Sequence, residues 1–192
     1  MKKILFGILI IFVFAVFFIS CSSNPETVYK EGLAKLEKND NTGAILDFTK
    51  AVTIDPNFYM GYYKRGNAYA NLEIYDKAIF NYTKTIQIKP DYAEAYTNRA
   101  NAYLMNESLD SALTDYNKAV ELDSKMFNAY FGRAGLYLKK EMYEKAVEDY
   151  TKAIELNPNV SQAYYNRGVA YENLKMEDKA KEDYEKAESL KK

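Results

Sequence analysis

Large, small and polar side chains return along this chain every 34 residues. Counted in units from Pro25, the eighth position is Gly32, Gly66, Ala100, Ala134 and Gly168. The twentieth is alanine throughout, at Ala44, Ala78, Ala112, Ala146 and Ala180. The twenty-fourth is a ring, at Phe48, Tyr82, Tyr116, Tyr150 and Tyr184. Within one unit, Tyr62, Gly66 and Tyr69 fall at i, i+4 and i+7, which is one face of a helix. Ala78, Tyr82 and Thr85 define a second helical face in the same way, and Asn71 to Asp76 form the turn between them. Asp76, Asp110, Glu144 and Asp178 sit near the start of each second helix, where a carboxylate offsets orphan N–H groups. Pro56, Pro90 and Pro158 end second helices by removing an N–H. Ser124 fills that slot in the third unit, so the turn there is expected to be less sharply enforced. The units run 25–58, 59–92, 93–126, 127–160 and 161–192, the last two residues short.

Small residues at the eighth and twentieth positions let the two helices of a unit approach, and rings at the fourth, eleventh and twenty-fourth fill the space around them. This spacing resembles the tetratricopeptide repeat (TPR) family over residues 25–192. The resemblance implies an all-α, right-handed α-solenoid of five helix-turn-helix units. It also implies a concave groove lined by the second, fifth, ninth, twelfth and thirteenth positions of each first helix. On that basis the expected partner-binding residues are Tyr63, Asn67, Asn98, Asn101, Phe131 and Tyr165, an aromatic and amide surface with little charge. Such a surface suits an extended peptide or a partner helix. TPRs that grip a chaperone's C-terminal carboxylate need Lys and Arg where this chain has Tyr63, Asn128 and Gly132, so that clamp is not expected.

A second row accompanies the first. The seventh position is Arg65, Arg99, Arg133 and Arg167 in units two to five and Glu31 in unit one. The twenty-third is Asp47, Asn81, Asp115, Asp149 and Asp183. The first unit has no predecessor and lacks the arginine. The expectation is therefore that each arginine reaches back to the preceding unit, pairing Arg65 with Asp47, Arg133 with Asp115 and Arg167 with Asp149. At the far end, Lys181 and Glu188 replace the apolar residues of the twenty-first and twenty-eighth positions, a polar cap that marks five units as the expected full array.

Ahead of the repeats, Met1-Lys2-Lys3 is a short basic stretch and Ile4 to Ile19 is almost wholly apolar. That length is at the upper end for a signal peptide and short for a membrane span. Phe18-Ile19-Ser20-Cys21 resembles the lipobox of bacterial lipoproteins, with Phe18 where that family prefers leucine. The resemblance implies a signal peptide over 1–20, a lipid on Cys21 and a tether over 21–24. An uncleaved anchor is the alternative. Both place the repeats outside the cytoplasmic membrane, because Lys2 and Lys3 hold the first residues inside.

Charge changes the picture little. The formal net charge is −1, and removing the first twenty residues, with their two lysines, leaves 24 basic against 27 acidic side chains. That balance excludes a nucleic-acid footprint. The chain has no histidine and one cysteine, so neither a histidine-based triad nor a Cys-rich metal site is available. Gly61 and Gly66 have phosphate-loop spacing but are followed by Asn67 and Ala68 rather than Lys and Ser/Thr. No cofactor, metal or catalysis is expected. The expected role is a membrane-anchored scaffold of the bacterial cell envelope that binds a protein or peptide. The alternatives are self-assembly, through the N-terminal face around Val28, Glu31 and Lys35 or through the convex side, and capture of a small ligand or glycan.

Overall fold

The computed structural model describes residues 24–191, so Cys21 and the segment before it lie outside the described residues. Ten helices follow one another as five hairpins: α1 (Pro25–Glu37) with α2 (Asn41–Ile54), α3 (Tyr59–Asn71) with α4 (Tyr75–Ile88), α5 (Ala93–Met105) with α6 (Leu109–Leu122), α7 (Phe127–Lys139) with α8 (Tyr143–Leu156), and α9 (Ser161–Asn173) with α10 (Glu177–Ser189). There is no strand among the described residues. The architecture is an all-α solenoid.

Local chemistry sets the helix ends. The Asn24 side chain accepts from the Glu26 N–H at 2.9 Å, with Pro25 in the first turn. Asp40 Oδ1 likewise accepts from the Gly43 N–H at 2.8 Å at the start of α2. Each first helix closes through one left-handed residue, namely Asn39, Glu73, Glu107, Glu141 and Lys175, with φ between 57° and 60°. Glycine is the residue that favours this conformation, yet none of the five is glycine. Two backbone bonds per turn offset the strain: in unit two the Glu73 N–H donates to Ala70 O and the Ile74 N–H to Tyr69 O, both at 2.9 Å. The Ser124 turn is as well formed as its proline counterparts. α6 stops at Leu122, and the Asp123 carboxylate accepts from the Lys125 N–H at 2.8 Å, the same bond that Asp55 and Asn157 make at the Pro56 and Pro158 turns.

Inside each hairpin the twenty-fourth ring lies on the eighth residue. A Cβ added to Gly66 would come within 2.7 Å of the Tyr82 ring. Phe48, Tyr82, Tyr116 and Tyr150 are fully buried, and truncating a ring in such a site costs roughly 3–5 kcal/mol. At the two ends the packing surface turns polar. Thr27 and Ala34 are exposed where the later units bury Gly61 and Ala68, and Lys181 and Glu188 are exposed on the last helix. Around the first unit, Val28 is buried and Glu31 is exposed.

The arginine row is real, but its pairing differs from the expectation. Arg133 does not reach Asp115. Its Nε donates to Asp149 Oδ2 at 2.6 Å and its Nη2 to Asp149 Oδ1 at 2.8 Å, within its own unit. Arg167 holds Asp183 in the same fork, and Arg99 holds Asp115. Arg65 meets Asn81, not Asp47, at 2.7 Å. The cause is helix geometry. Positions seven and twenty-three face each other across one hairpin, whereas the residue two places on is rotated by about 200° and looks toward the next unit. That twenty-fifth residue takes the third arginine nitrogen: Nη1 donates from Arg65 to Thr49 at 3.1 Å, from Arg99 to Thr83 at 2.9 Å, and from Arg133 to Asn117 at 2.8 Å.

The guanidinium groups of Arg99, Arg133 and Arg167 each also lie between two rings of their own helix, and that of Arg65 lies over Tyr62. Arg99 is 5.6 Å from the Tyr96 ring centroid and 5.9 Å from that of Tyr103. Burial pulls the Arg65 guanidinium below its ordinary value, with only a neutral amide opposite. It pulls Arg99 down too, but the Asp115 carboxylate outweighs it. In unit one, Lys35 Nζ reaches Asp47 Oδ2 at 2.5 Å and Lys50 reaches the other oxygen at 3.3 Å. Burial alone pushes the Asp47 carboxyl up, and the two ammonium groups outweigh it and hold it below the usual carboxylate range.

A double-mutant cycle separates the two pairings. Arg133→Leu and Asp149→Leu are each expected to destabilise the fold by about 3 kcal/mol, because each strands a mostly buried charge. Their coupling energy in urea unfolding should be on the order of 2 kcal/mol. Arg133→Leu with Asp115→Leu should be close to additive, and the reverse pattern would restore the pairing between units.

Candidate functional site

Successive first helices touch one another directly, while among the described residues successive second helices do not. The first helices therefore line the inner, concave side and the second helices the outer side. A concave pocket of about 370 Å³ opens on the inner side between α1, α3 and α5. Its lining includes Leu36, Asn67, Tyr75, Asn98, Asn101 and Met105, and it contains no carboxylate, ammonium or guanidinium.

The helix register puts three amides there. Asn67 and Asn101 hold the ninth position of adjacent units and Asn98 the sixth. Asn98 Nδ2 donates to the Tyr63 hydroxyl at 2.9 Å and to Asn67 Oδ1 at 3.1 Å. Asn67 Oδ1 also accepts from the Tyr82 hydroxyl at 2.8 Å. The Tyr116 hydroxyl donates to Asn101 Oδ1. Gly132 permits the last contact, since a Cβ there would come within 2.6 Å of the Tyr116 ring and hydroxyl. The amide oxygens of Asn67 and Asn101 are thus spent on the core rings beneath them. Among the described residues, Asn67 Nδ2, Asn101 Nδ2 and Asn98 Oδ1 make no such bond and face the groove.

The six residues expected to line the groove therefore divide. Asn67, Asn98 and Asn101 come together in the pocket. Tyr63 is half-buried, with its ring edge-on to Tyr92 at 5.0 Å and its hydroxyl bonded to Asn98, so it acts as wall. Phe131 packs within its own unit against Tyr150 at 5.7 Å and Phe127 at 5.5 Å, and borders the cluster of Ala163 and Tyr164 in the next unit. Tyr165 is exposed at 47 %, but on α9, away from the pocket. The fifth-position rings are thus mostly padding between helices. The twelfth and thirteenth positions supply what the ring count overlooked. Leu36 lies in the pocket at the twelfth, and Met105, 60 % exposed, at the thirteenth. Asn71, also a thirteenth residue, donates to Asn41 Oδ1 at 3.0 Å and fixes the rim.

Such a surface can bond a partner's backbone and hold an apolar side chain. Its lining holds no carboxylate, ammonium, imidazole or thiol. Among the described residues there is no His/Cys/Asp/Glu cluster that could hold a metal, and no helix is long and apolar enough to cross a membrane.

Helical-hairpin repeats stacked around a lined groove define a scaffold for protein–protein interaction. The tetratricopeptide repeat profile matches residues 59–92, 93–126 and 127–160, with further matches of the same description at 149–182 and as TPR repeat at 32–73. The chain belongs to the tetratricopeptide repeat family. No curated protein matches it in sequence. Among solved structures, the crystal structure of MamA is 29 % identical, covers 83 % of this chain and 94 % of that one, and has a TM-score of 0.77. YrrB, described as a TPR protein with an unusual peptide-binding site, is 23 % identical over 85 % of this chain and 84 % of its own, with a TM-score of 0.71. The Pseudomonas aeruginosa protein pilF is 15 % identical over 86 % of this chain and 76 % of its own, at 0.79. The last two likenesses are ones of fold.

The hydroxyls beneath the groove carry a pH signature. Burial raises those of Tyr82 and Tyr116. It pushes Tyr150 up to about 12, although its bond from Asn166 acts the other way. An unfolded chain loses these protons near the ordinary tyrosine value of about 10. The stabilisation is therefore intact below pH ~10 and is lost as pH rises through the folded value. Thermal melts followed by circular dichroism should show Tm falling steadily between pH ~10 and ~12. A flat Tm over that window would contradict the buried-hydroxyl assignment.

Proposed function

We propose that this chain is a membrane-tethered scaffold facing the bacterial cell envelope, held by a lipid on Cys21, and that its concave groove takes an extended, uncharged segment of a protein partner. The observation that carries the binding reading is the composition of the pocket. Spare amide groups of Asn67, Asn98 and Asn101 stand beside the apolar Leu36 and Met105, with no charged side chain in the lining. Amide donors and acceptors at repeat spacing match the backbone of an extended peptide, and the apolar part holds one of its side chains. A charged segment would find no counterion there and would lose its hydration.

The tether reading rests on sequence. The apolar run Ile4–Ile19 ends at Ser20-Cys21, and only Ser22 and Ser23 separate Cys21 from Asn24, the cap of α1. A multiply acylated cysteine is a stable anchor, at roughly 0.8 kcal/mol per buried CH₂. Residues 1–23 are outside the described structure, so this part is tested chemically.

Crosslinking pull-down from native envelopes tests both parts. Met105→Glu puts a charge into the pocket from an exposed position and should lower partner recovery at least tenfold, while Tyr165→Ala, outside the pocket, should leave recovery unchanged. Cys21→Ser should abolish palmitate labelling and release the chain from the membrane pellet. An unaltered partner set with Met105→Glu would remove the groove from the account, and unchanged labelling with Cys21→Ser would remove the lipid.

A further inference from the structure

The outer face of the array is not uniform. The register position that holds Leu46 in α2 and Phe80 in α4 holds Thr114, Glu148 and Glu182 in the next three second helices. Leu46 is 60 % exposed and Phe80 56 % exposed, on neighbouring units, at the end nearest the N-terminus. Their surroundings follow the same trend. Beside Leu46, α2 presents Thr49, Thr53 and Lys50, the last already 3.3 Å from the buried Asp47 carboxylate. Beside Phe80, α4 presents Lys77 and Lys84, and the Lys84 ammonium lies 5.9 Å from the Phe80 ring centroid. The one acid on that part of α4, Asp76, accepts from Asn106 Nδ2 at 3.0 Å. On α8 the same lysines recur as Lys145 and Lys152, but Glu144, Glu148 and Glu155 stand among them, and Glu155 pairs with Lys152 at 3.0 Å. On α10 Lys179 and Lys186 stand among Asp178, Glu182 and Glu185, whereas Lys84 on α4 donates to the neutral Gln87. The outer face therefore keeps its lysines throughout, while the exposed apolar side chains of its start give way to acids that offset those lysines toward its end.

We infer that the outer face of the first two units is a membrane-surface contact, with Leu46 and Phe80 entering the interfacial layer and Lys77 and Lys84 meeting anionic lipid headgroups. The inference rests on the tether reading above. Asn24 is three residue steps along the chain from Cys21, and at about 3.5 Å per step the first unit starts within roughly 10 Å of an anchored cysteine. The charge pattern names the occupant. Lysines around exposed apolar side chains match an anionic bilayer surface. The acids of units four and five are repelled by it. Two side chains one unit apart, without a cleft, are far short of the roughly 800 Å² per partner that a stable protein interface buries. They suffice beside a lipid anchor, because the anchor already supplies the high local concentration. Contact through the outer face turns the groove away from the bilayer, toward a partner.

The absence of tryptophan from the chain provides the test. Full chain purified with its anchor is reconstituted into phosphatidylethanolamine–phosphatidylglycerol vesicles carrying lipid brominated near the headgroup. Leu46→Trp, Phe80→Trp and, for comparison, Glu148→Trp each give a single reporter at an exposed site. Leu46→Trp and Phe80→Trp should be blue-shifted and quenched severalfold more than Glu148→Trp, and Lys77→Glu with Lys84→Glu should remove the difference. Vesicle-bound chain with all three reporters equally unquenched overturns the contact and leaves the anchor standing. Reporters that are blue-shifted but unquenched mean that a protein surface, such as a second copy, covers the patch, which also overturns it. Chain that fails to sediment with vesicles defeats the anchor reading and this inference together.

Discussion

The arginine fork is the interaction on which the rest of the array depends. In units three, four and five, one guanidinium closes its own hairpin through two bonds to a carboxylate. It sits between two tyrosine rings of its own helix, and it gives its remaining nitrogen to the helix before it. A planar, permanently charged group with donors in a fixed fork can do all three at once, and a lysine cannot. Unit one shows why the row starts where it does. With no second helix ahead of it, it has Glu31 at this position, and Asp47 is held by Lys35 and Lys50 instead. Unit two is intermediate, because Asn81 can accept from Arg65 but cannot offset its charge.

Fixing the spacing of the hairpins fixes the groove. The twenty-fourth rings lie on small residues and send their hydroxyls across to the inner face, where Asn67 and Asn101 accept them. The core thus orients the groove amides through their oxygens and leaves their nitrogens facing outward. This coupling explains an inner surface that is polar yet uncharged: the groups that stabilise the hairpins are the same groups that present donors to a partner. The outer surface is under no such constraint, and there the charge varies freely from unit to unit.

What could be read in the sequence was what a single hairpin determines. The eighth, twentieth and twenty-fourth positions meet within one unit, so their 34-residue recurrence was enough to define helices, turns and core. Two kinds of feature were less legible. Arg133 is 16 residues from Asp149 and 18 from Asp115, and sequence spacing alone does not say which carboxylate shares its hairpin and which is turned toward the helix before. The true crossing partner, Asn117, is a neutral residue in a row that looks unremarkable. The second kind concerns exposure. Tyr63, Phe131 and Tyr165 occupy one register position, yet only Tyr165 is open, because Tyr63 and Phe131 are covered by the unit that follows and Tyr165 belongs to the last described unit. Met105 carried no aromatic signal and is the most exposed apolar group of the pocket. The left-handed turn residues were equally hidden, since Glu73, Glu107 and Glu141 stand where glycine would have announced the conformation.

The central claim is that each arginine stabilises two units at once. Native-state hydrogen exchange on Arg99→Leu, resolved by helix, tests it most directly. Arg99 bonds Asp115 on α6 and Thr83 on α4, so amides of α4 and α6 should lose protection together while α8 and α10 keep theirs. Loss confined to α5 and α6, with α4 unchanged, would contradict the account and reduce the fork to a contact within one hairpin.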